Sequence, residues 1–147
     1  MKVSEGKIGR VFILRLEDKD VVPKCIEQFA DENGIKVAHV TMFGGVGKGS
    51  VVVGPKVSTE MPPSKMSYPI NQAHEVLASG LVAPDKSGKS ILHIHGALGR
   101  DNVTITGCLR EGVETWLVGE VIIYEILETD AKRLLDTKSG FKLLDVN

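Results

Sequence analysis

The segment LHIHGALGRDNVTITGCL, residues 92–109, alternates apolar and polar side chains on both sides of the turn-forming letters GRDN. This alternation predicts two antiparallel strands, Ser90–Leu98 and Val103–Leu109, joined as a hairpin. A turn centred between Arg100 and Asp101 would set which residues of the two strands face each other. The hairpin is therefore the best place from which to predict the rest of the fold.

The register predicted for this hairpin sorts its side chains by polarity. His93 faces Cys108, and His95 faces Thr106. The opposite face then carries the hydrophobic side chains of both strands, namely Leu92, Ile94, Leu98, Val103, Ile105 and Leu109. A slip of one residue would mix the two classes, so the pattern favours this register.

The polar face of the hairpin carries candidate metal ligands. Two histidines spaced two apart on a strand project to the same side. Two neutral imidazoles and a thiolate suit zinc, which is usually bound tetrahedrally by nitrogen and sulfur ligands. The sequence therefore predicts a zinc site at His93, His95 and Cys108. The alternative is a hydrogen-bonded histidine pair beside a small apolar cysteine.

Such a site would have a fourth ligand position. Water there would resemble a catalytic zinc centre, in which metal-bound water ionises with a pKa of about 7. His74 would fill the position instead if Leu77 and Leu81 lie on the apolar side of their strand, because that register puts His74 on the histidine face. The polar residues predicted to orient a ligand are Glu75, Arg100 and Asp101.

One amphipathic helix is predicted ahead of the hairpin. Its apolar stripe has helical spacing and consists of Val22, Cys25, Ile26, Phe29 and Ala30. Asp20 is the expected N-cap, and Asn33 with Gly34 is expected to end the helix. His39, alone between apolar neighbours in the strand that follows, is interpreted as structural.

The remaining pattern predicts further strands and one irregular stretch. The strands are Lys7–Leu16, Ile35–Met42, Val51–Val53, His74–Ala83 and Val118–Leu127. Four prolines between Gly54 and Asn71 predict an excursion over the surface. The last strand is apolar on both faces, whereas a single helix covers only one side of a sheet. The other side is expected to pack on a second sheet layer or a sister subunit.

The glycine-rich segment FGGVGKGS, residues 43–50, resembles a phosphate-binding loop only superficially. A P-loop needs Ser or Thr directly after Lys48, where Gly49 stands. A dinucleotide-binding loop needs a third glycine where Ser50 stands, and a helix after it. We expect a tight turn between strands that uses positive φ angles.

Composition narrows the class of protein. The chain has 147 residues, of which 42% are hydrophobic and 25% charged, so we expect one globular domain spanning residues 1–147. A formal net charge of -1 provides no general field for holding nucleic acid. No apolar stretch reaches the length of a membrane span, and two widely separated cysteines form no disulfide framework. The expected location is the cytoplasm.

An ordered set of motifs covers nearly the whole chain. It consists of GRVFILRLE (9–17), IEQFADENGI (26–35), AHVTMFGGVG (38–47), HIHGALG (93–99), TGCLREG (106–112), GEVIIYEI (119–126) and KRLLDTKSGFKLL (132–144). This set resembles the plants-and-prokaryotes-conserved (PPC) domain family, in its short stand-alone prokaryotic form. The resemblance implies an α+β homotrimer in which a mainly antiparallel, strongly curved sheet of about seven strands packs on one principal helix.

The same resemblance bears on ligands and partners. In the family a third histidine usually follows in a GGHL-like segment, and Cys108 stands at that position here. Plant relatives carry AT-hooks before the domain, and prokaryotic members are often labelled DNA-binding, but this chain has no Arg-Gly-Arg-Pro hook. Plant members also resemble protein-interaction modules, which implies protein partners.

Three functions are therefore considered. The first is a cytoplasmic, trimeric zinc-binding domain that acts in ligand sensing or protein interaction. The second is a zinc enzyme that uses metal-bound water on a small substrate, and it is the less favoured because no convincing general base is visible. The third is DNA binding through the trimer.

Overall fold

A computed structural model describes residues 1–110 and 112–146. Glu111, in the TGCLREG segment, and Asn147 lie outside the described residues. The elements, in chain order, are β1 (Lys7–Glu17), α1 (Val22–Glu32), β2 (Ala38–Pro55), β3 (Lys65–Ile70), β4 (His74–Pro84), β5 (Ser90–Arg100), β6 (Val103–Leu109), β7 (Glu114–Leu127), β8 (Lys132–Leu135) and β9 (Lys142–Asp145).

Seven of these strands form one antiparallel sheet in the order β1-β7-β2-β4-β5-β6, with β3 paired to β2. The long strand β2 pairs with β7 and β4 and, near its end, also with β6, where Val51 faces Leu109. One strand can meet both β4 and β6 only if the sheet curls. The predicted α+β class, with a curved antiparallel sheet of about seven strands and one helix, is confirmed.

Helix α1 covers one side of this sheet, which we call the inner face. Val22, Ile26 and Ala30 are buried there in the main hydrophobic cluster, together with Ile94 and Leu98 of β5. The opposite side, which carries His93 and His95, we call the outer face. Alternation along each strand therefore separates a helix-covered core from a surface.

The predicted helix cap is half right. Asn33 is the C-cap and Gly34 follows with a φ of 66°, as expected. Asp20 is not the N-cap. Its carboxylate instead accepts a hydrogen bond from the Glu17 backbone N–H at 2.8 Å. Val21 occupies the N-cap position, and its side chain makes no capping hydrogen bond.

The glycine-rich segment does not form the predicted turn. Residues 43–50 lie inside the continuous strand β2. Gly44 and Gly49 have φ angles of 127° and 122°, and a Cβ on either would collide with backbone atoms of the adjacent segment of the same chain, at Val118 and Gly112. The glycines therefore allow a bent strand to cross closely under its neighbours.

The proline-rich excursion also contains more structure than expected. Lys65–Ile70 forms strand β3, which pairs with β2 alone. Pro69 is compatible with this position because an edge strand has an unpaired side on which no N–H is needed. Gly54 and Pro55 are the last residues of strand β2, whereas residues 56–64 and Asn71 lie in neither a strand nor a helix.

The β5–β6 hairpin is shifted by two residues from its predicted register. Asp101 and Asn102 both have positive φ, 49° and 64°, and form a two-residue turn. His95 consequently faces Cys108, and Ala97 faces Thr106. The predicted pairs were wrong, but the predicted faces were right, because a shift of two residues is one full side-chain period.

Beyond the sheet, β8 and β9 form a separate hairpin near the chain end. The ion pair between Lys142 Nζ and Asp85 Oδ2, at 2.9 Å, ties this hairpin to the loop after β4. Among the described residues, no helix is both long enough and apolar enough to cross a membrane.

Candidate metal centre

The three predicted ligands meet on the outer face of the sheet. His93 and His95 come from β5, Cys108 comes from β6, and one donor atom from each lies within 4.8 Å of the others. The two Nε2 atoms are 3.0 Å apart, and the rings are edge-on at 79°. The histidines are exposed and the cysteine is buried.

This donor set fits a zinc ion. Bonds of about 2.0–2.3 Å in a tetrahedron place neighbouring donor atoms about 3.3–3.8 Å apart. The two Nε2 atoms are slightly closer than this, and no pair of donors is farther apart than 4.8 Å, so the arrangement is close to that required for one ion. Two imidazole nitrogens and a sulfur are also the donor types that zinc prefers.

The electrostatic surroundings keep the imidazole of His93 neutral. Partial desolvation of the ring, followed by the positive charge of Arg133 and the neighbouring His95 and Arg110, lowers the pKa of His93 to about 4. Burial raises the pKa of the Cys108 thiol, although Arg110 and Arg133 act in the opposite direction. A neutral imidazole can accept a metal directly, whereas the thiol must first lose its proton.

His74 does not join the cluster. Strands β4 and β5 pair Leu81 with His93 and Ser79 with His95, so the odd-numbered residues of β4 share the outer face. Leu77 and Leu81 therefore lie on the histidine side, and His74 lies on the other. The predicted β4 register assumed that both leucines lie on the apolar side of the strand. It was wrong because they lie on the outer face, where Leu77 is 70% exposed. The Nδ1 of His74 instead lies 2.7 Å from the Gln72 carbonyl oxygen.

The three predicted orienting residues lie at the far end of the hairpin. Glu75 faces Gly99, which follows His95 by four residues. At the usual rise of a strand, Gly99 and His95 are about 13 Å apart. The Nη1 of Arg100 donates to the Ala73 carbonyl oxygen at 2.7 Å, and its Nε lies 3.3 Å from an Asp101 carboxylate oxygen. The structure therefore does not bring these side chains to the cluster.

His39 lies on the outer face next to the cluster. Its Nε2 is 2.9 Å from the Ser79 hydroxyl, and its ring stacks on Tyr124 with centroids 6.1 Å apart. These contacts agree with the structural role predicted for it.

The cluster opens into a cavity of about 880 Å³. The β8–β9 hairpin forms one wall with Arg133, Phe141, Leu143 and Leu144, and Arg110 lies on the β6 side. Sequence reasoning missed this wall because the hairpin is separated from the histidines by about 40 residues and shows no local ligand motif. The only available signal was the basic and apolar KRLL segment, residues 132–135.

The chain has known relatives in sequence and in structure. Residues 3–127 match the family described as the Plants and Prokaryotes Conserved (PCC) domain. None of the curated proteins compared with the chain matches it.

Solved structures share the fold over almost their whole length. The metal-containing protein from Archaeoglobus fulgidus is 27% identical, with a TM-score of 0.83 and coverage of 97% of this chain and 98% of that one. The plant- and prokaryote-conserved protein from Pyrococcus horikoshii is 21% identical, with a TM-score of 0.84 and coverage of 99% and 97%. A Bacteroides thetaiotaomicron protein provisionally described as DNA-binding is 16% identical, with a TM-score of 0.77 and coverage of 96% and 97%.

Proposed function

The chain belongs to the Plants and Prokaryotes Conserved (PCC) domain family, and from this premise we propose that it is a zinc-binding domain that acts in ligand sensing or protein interaction. The observation that carries the proposal is the meeting of His93, His95 and Cys108, with donor atoms within 4.8 Å of one another. The Archaeoglobus fulgidus relative is itself described as metal-containing. A zinc ion with three protein ligands would keep one position for an incoming ligand.

A binding role is favoured over catalysis by the lining of the cavity. Among the described residues, the lining includes no aspartate or glutamate that could serve as a general base. The lining is instead mostly apolar and cationic, and its other polar groups are hydroxyls and the imidazoles of the proposed metal ligands. This composition is better suited to holding a ligand than to moving protons.

DNA binding finds less support in this chain. The formal net charge is -1, and Arg133, one of the cations that line the cavity, is only 5% exposed. The likeness to the Bacteroides thetaiotaomicron protein, at 16% identity, concerns the fold alone. A gel shift across a salt series would reveal phosphate-driven binding as retention that weakens steeply with salt.

We propose that the working form is a cytoplasmic homotrimer. Large apolar side chains stand exposed on the outer face of the sheet, among them Val11, Ile13, Phe43 and Leu77, with Ile13 80% exposed. An apolar surface of this kind is typical of a subunit interface. Both cysteines are free, as expected in a reducing compartment. Light scattering should give about three times the 15.9 kDa chain mass, and Ile13→Glu should reduce it. A wild-type mass of 15.9 kDa at all concentrations would refute the trimer.

Metal analysis of purified protein tests the proposal directly. Wild type reconstituted with zinc should retain about one ion per chain after dialysis. His93→Ala and His95→Ala should lose it, whereas His74→Ala is a matched control that should keep it. Cys108→His restores the third histidine usual in the family and should also keep it. A wild type that retains no zinc, or full retention in both histidine variants, would refute the metal centre.

A further inference from the structure

The cavity beside the metal centre contains a buried guanidinium group with unused hydrogen-bonding capacity. Arg133 is only 5% exposed and lines the cavity from strand β8. Its Nη2 donates to the Leu81 carbonyl oxygen at 3.3 Å. Its Nε is buried and has no hydrogen-bond partner within residues 1–110 and 112–146. A buried charge without an anionic partner is costly, and an anion bound in the cavity against this guanidinium would lower that cost.

The charges around Arg133 have the same sign. Arg110, Lys65 and Lys142 also line the cavity, and of these Lys142 is paired with Asp85. In the described part of the lining, no carboxylate balances these cations. Arg133 and Arg110 line the same cavity as His93 and His95. The side of the cavity next to the metal ligands is therefore electropositive.

The remainder of the lining is largely apolar. It includes Val52, Val53, Ile91, Phe141, Leu143 and Leu144. A volume of about 880 Å³ lies within the range of about 300–1,000 Å³ usual for small-molecule sites. An inorganic ion would leave most of this apolar surface uncovered, so the lining favours a ligand with an apolar body.

We propose that the cavity binds a small amphipathic oxyanion, whose carboxylate or phosphate group pairs with Arg133 and Arg110 and whose apolar body packs against the β8–β9 hairpin. The ligand-sensing role of this site rests on the proposed function, but the pairing with the two arginines does not require a metal. Arg133 lies outside residues 3–127, which match the family. The anion site is therefore built from Arg110, within those residues, and from the C-terminal hairpin, which follows them.

Isothermal titration calorimetry with four probes tests the proposal on zinc-free and zinc-loaded wild type. Hexanoate and hexyl phosphate carry both features of the ligand, hexanol carries only the apolar body, and inorganic phosphate carries only the charge. At least one of the first two should bind about tenfold or more tightly than hexanol and than inorganic phosphate, because charged hydrogen bonds and apolar burial each contribute. The stronger of the two identifies the anionic group.

Substitutions assign the binding to the arginines. Arg133→Gln should weaken binding of the stronger probe about tenfold or more, and Arg133→Lys should recover part of it. If Arg133→Gln does not fold, Arg110→Gln provides a second test, because the side chain of Arg110 is exposed. Arg15→Gln, on the exposed surface of β1, removes the same charge and should leave binding unchanged.

The outcomes separate the anion site from the metal centre. Arginine-dependent binding in a protein that retains no zinc would support the anion site and refute the zinc proposal. Zinc retention without binding of either amphipathic probe would support the zinc proposal and refute the anion site. If neither hexanoate nor hexyl phosphate binds more tightly than hexanol, or if binding of the stronger probe is unchanged by both Arg133→Gln and Arg110→Gln, the anion site is overturned.

Discussion

The two faces of strand β5 show how one short segment serves two purposes. Ile94 and Leu98 point to the inner face and are at most 1% exposed, in a core covered by helix α1. His93 and His95, which flank Ile94 in the sequence, point to the outer face and are exposed. The inner face contributes to stability through apolar burial, whereas the outer face presents donors and charges to a cavity.

This difference implies that the two faces tolerate different changes. A truncation on the inner face leaves a void in a close-packed core, whereas a truncation on the outer face of the isolated chain mainly alters solvent-exposed surface. Stability measurements on single variants test that separation.

The largest effect is expected for Ile94→Ala. The side chain is fully buried, so its truncation should lower the free energy of unfolding by about 2–5 kcal/mol through lost burial and a residual cavity. Urea denaturation followed by circular dichroism measures this loss. A change below about 0.5 kcal/mol, the usual size at a surface site, would mean that Ile94 does not belong to a close-packed core under helix α1.

A smaller, pH-dependent effect is expected for Glu125→Gln at the edge of the inner face. The Glu125 carboxylate accepts hydrogen bonds from Arg10 Nε at 2.8 Å and Nη2 at 2.7 Å, and Arg10 holds the pKa of Glu125 below its ordinary 4.5. Because the pKa of Glu125 is lower in the folded state, its ionised carboxylate stabilises the fold above pH 4.5. This stabilisation is lost as the pH falls through the pKa that Glu125 has in the folded protein.

Wild type should therefore be more stable than Glu125→Gln at pH 7, and the difference should shrink below pH 4.5. Urea midpoints between pH 3 and pH 7 measure it, with the exposed Glu120→Gln as a control expected to show little difference at any pH. A gap that is the same at pH 3 and pH 7 would contradict the ion pair.

The smallest effect is expected for Leu77→Ala on the outer face. Because Leu77 is 70% exposed, unfolding of the monomer should change by less than about 0.5 kcal/mol. If the proposed trimer covers this surface, the loss should become larger at protein concentrations where the trimer forms. Urea midpoints at two concentrations, one on each side of trimer dissociation, make this comparison. A loss as large as that of Ile94→Ala at the lower concentration would break the contrast between the faces.

Much of the β5–β6 hairpin was predictable from the sequence, and its errors have a common cause. Alternation placed His93, His95 and Cys108 on one face, since polarity reports which side of the sheet a residue occupies. It did not report which residues stand opposite each other. The turn decided that, because Asp101 and Asn102 both adopt left-handed backbone angles and shift the pairing by two residues.

The errors on β2 and β4 arise from packing between distant segments. Gly44 and Gly49 suggested a turn, but they lie in a bent strand because other strands cross it closely. Leu77 suggested the core, yet it is exposed on the outer face of this chain. In both cases the residue type was informative, but its partner was not visible in the local pattern.

The order of apolar and polar residues by itself determined the fold class, the helix and the shared face of the three candidate ligands, since each depends on a periodicity of two or 3.6 residues within one segment. Only the tertiary structure decided that Arg133 comes to lie beside them and that His74 does not. Those placements depend on how a curled sheet and a C-terminal hairpin meet across long sequence separations, and no local periodicity encodes such contacts.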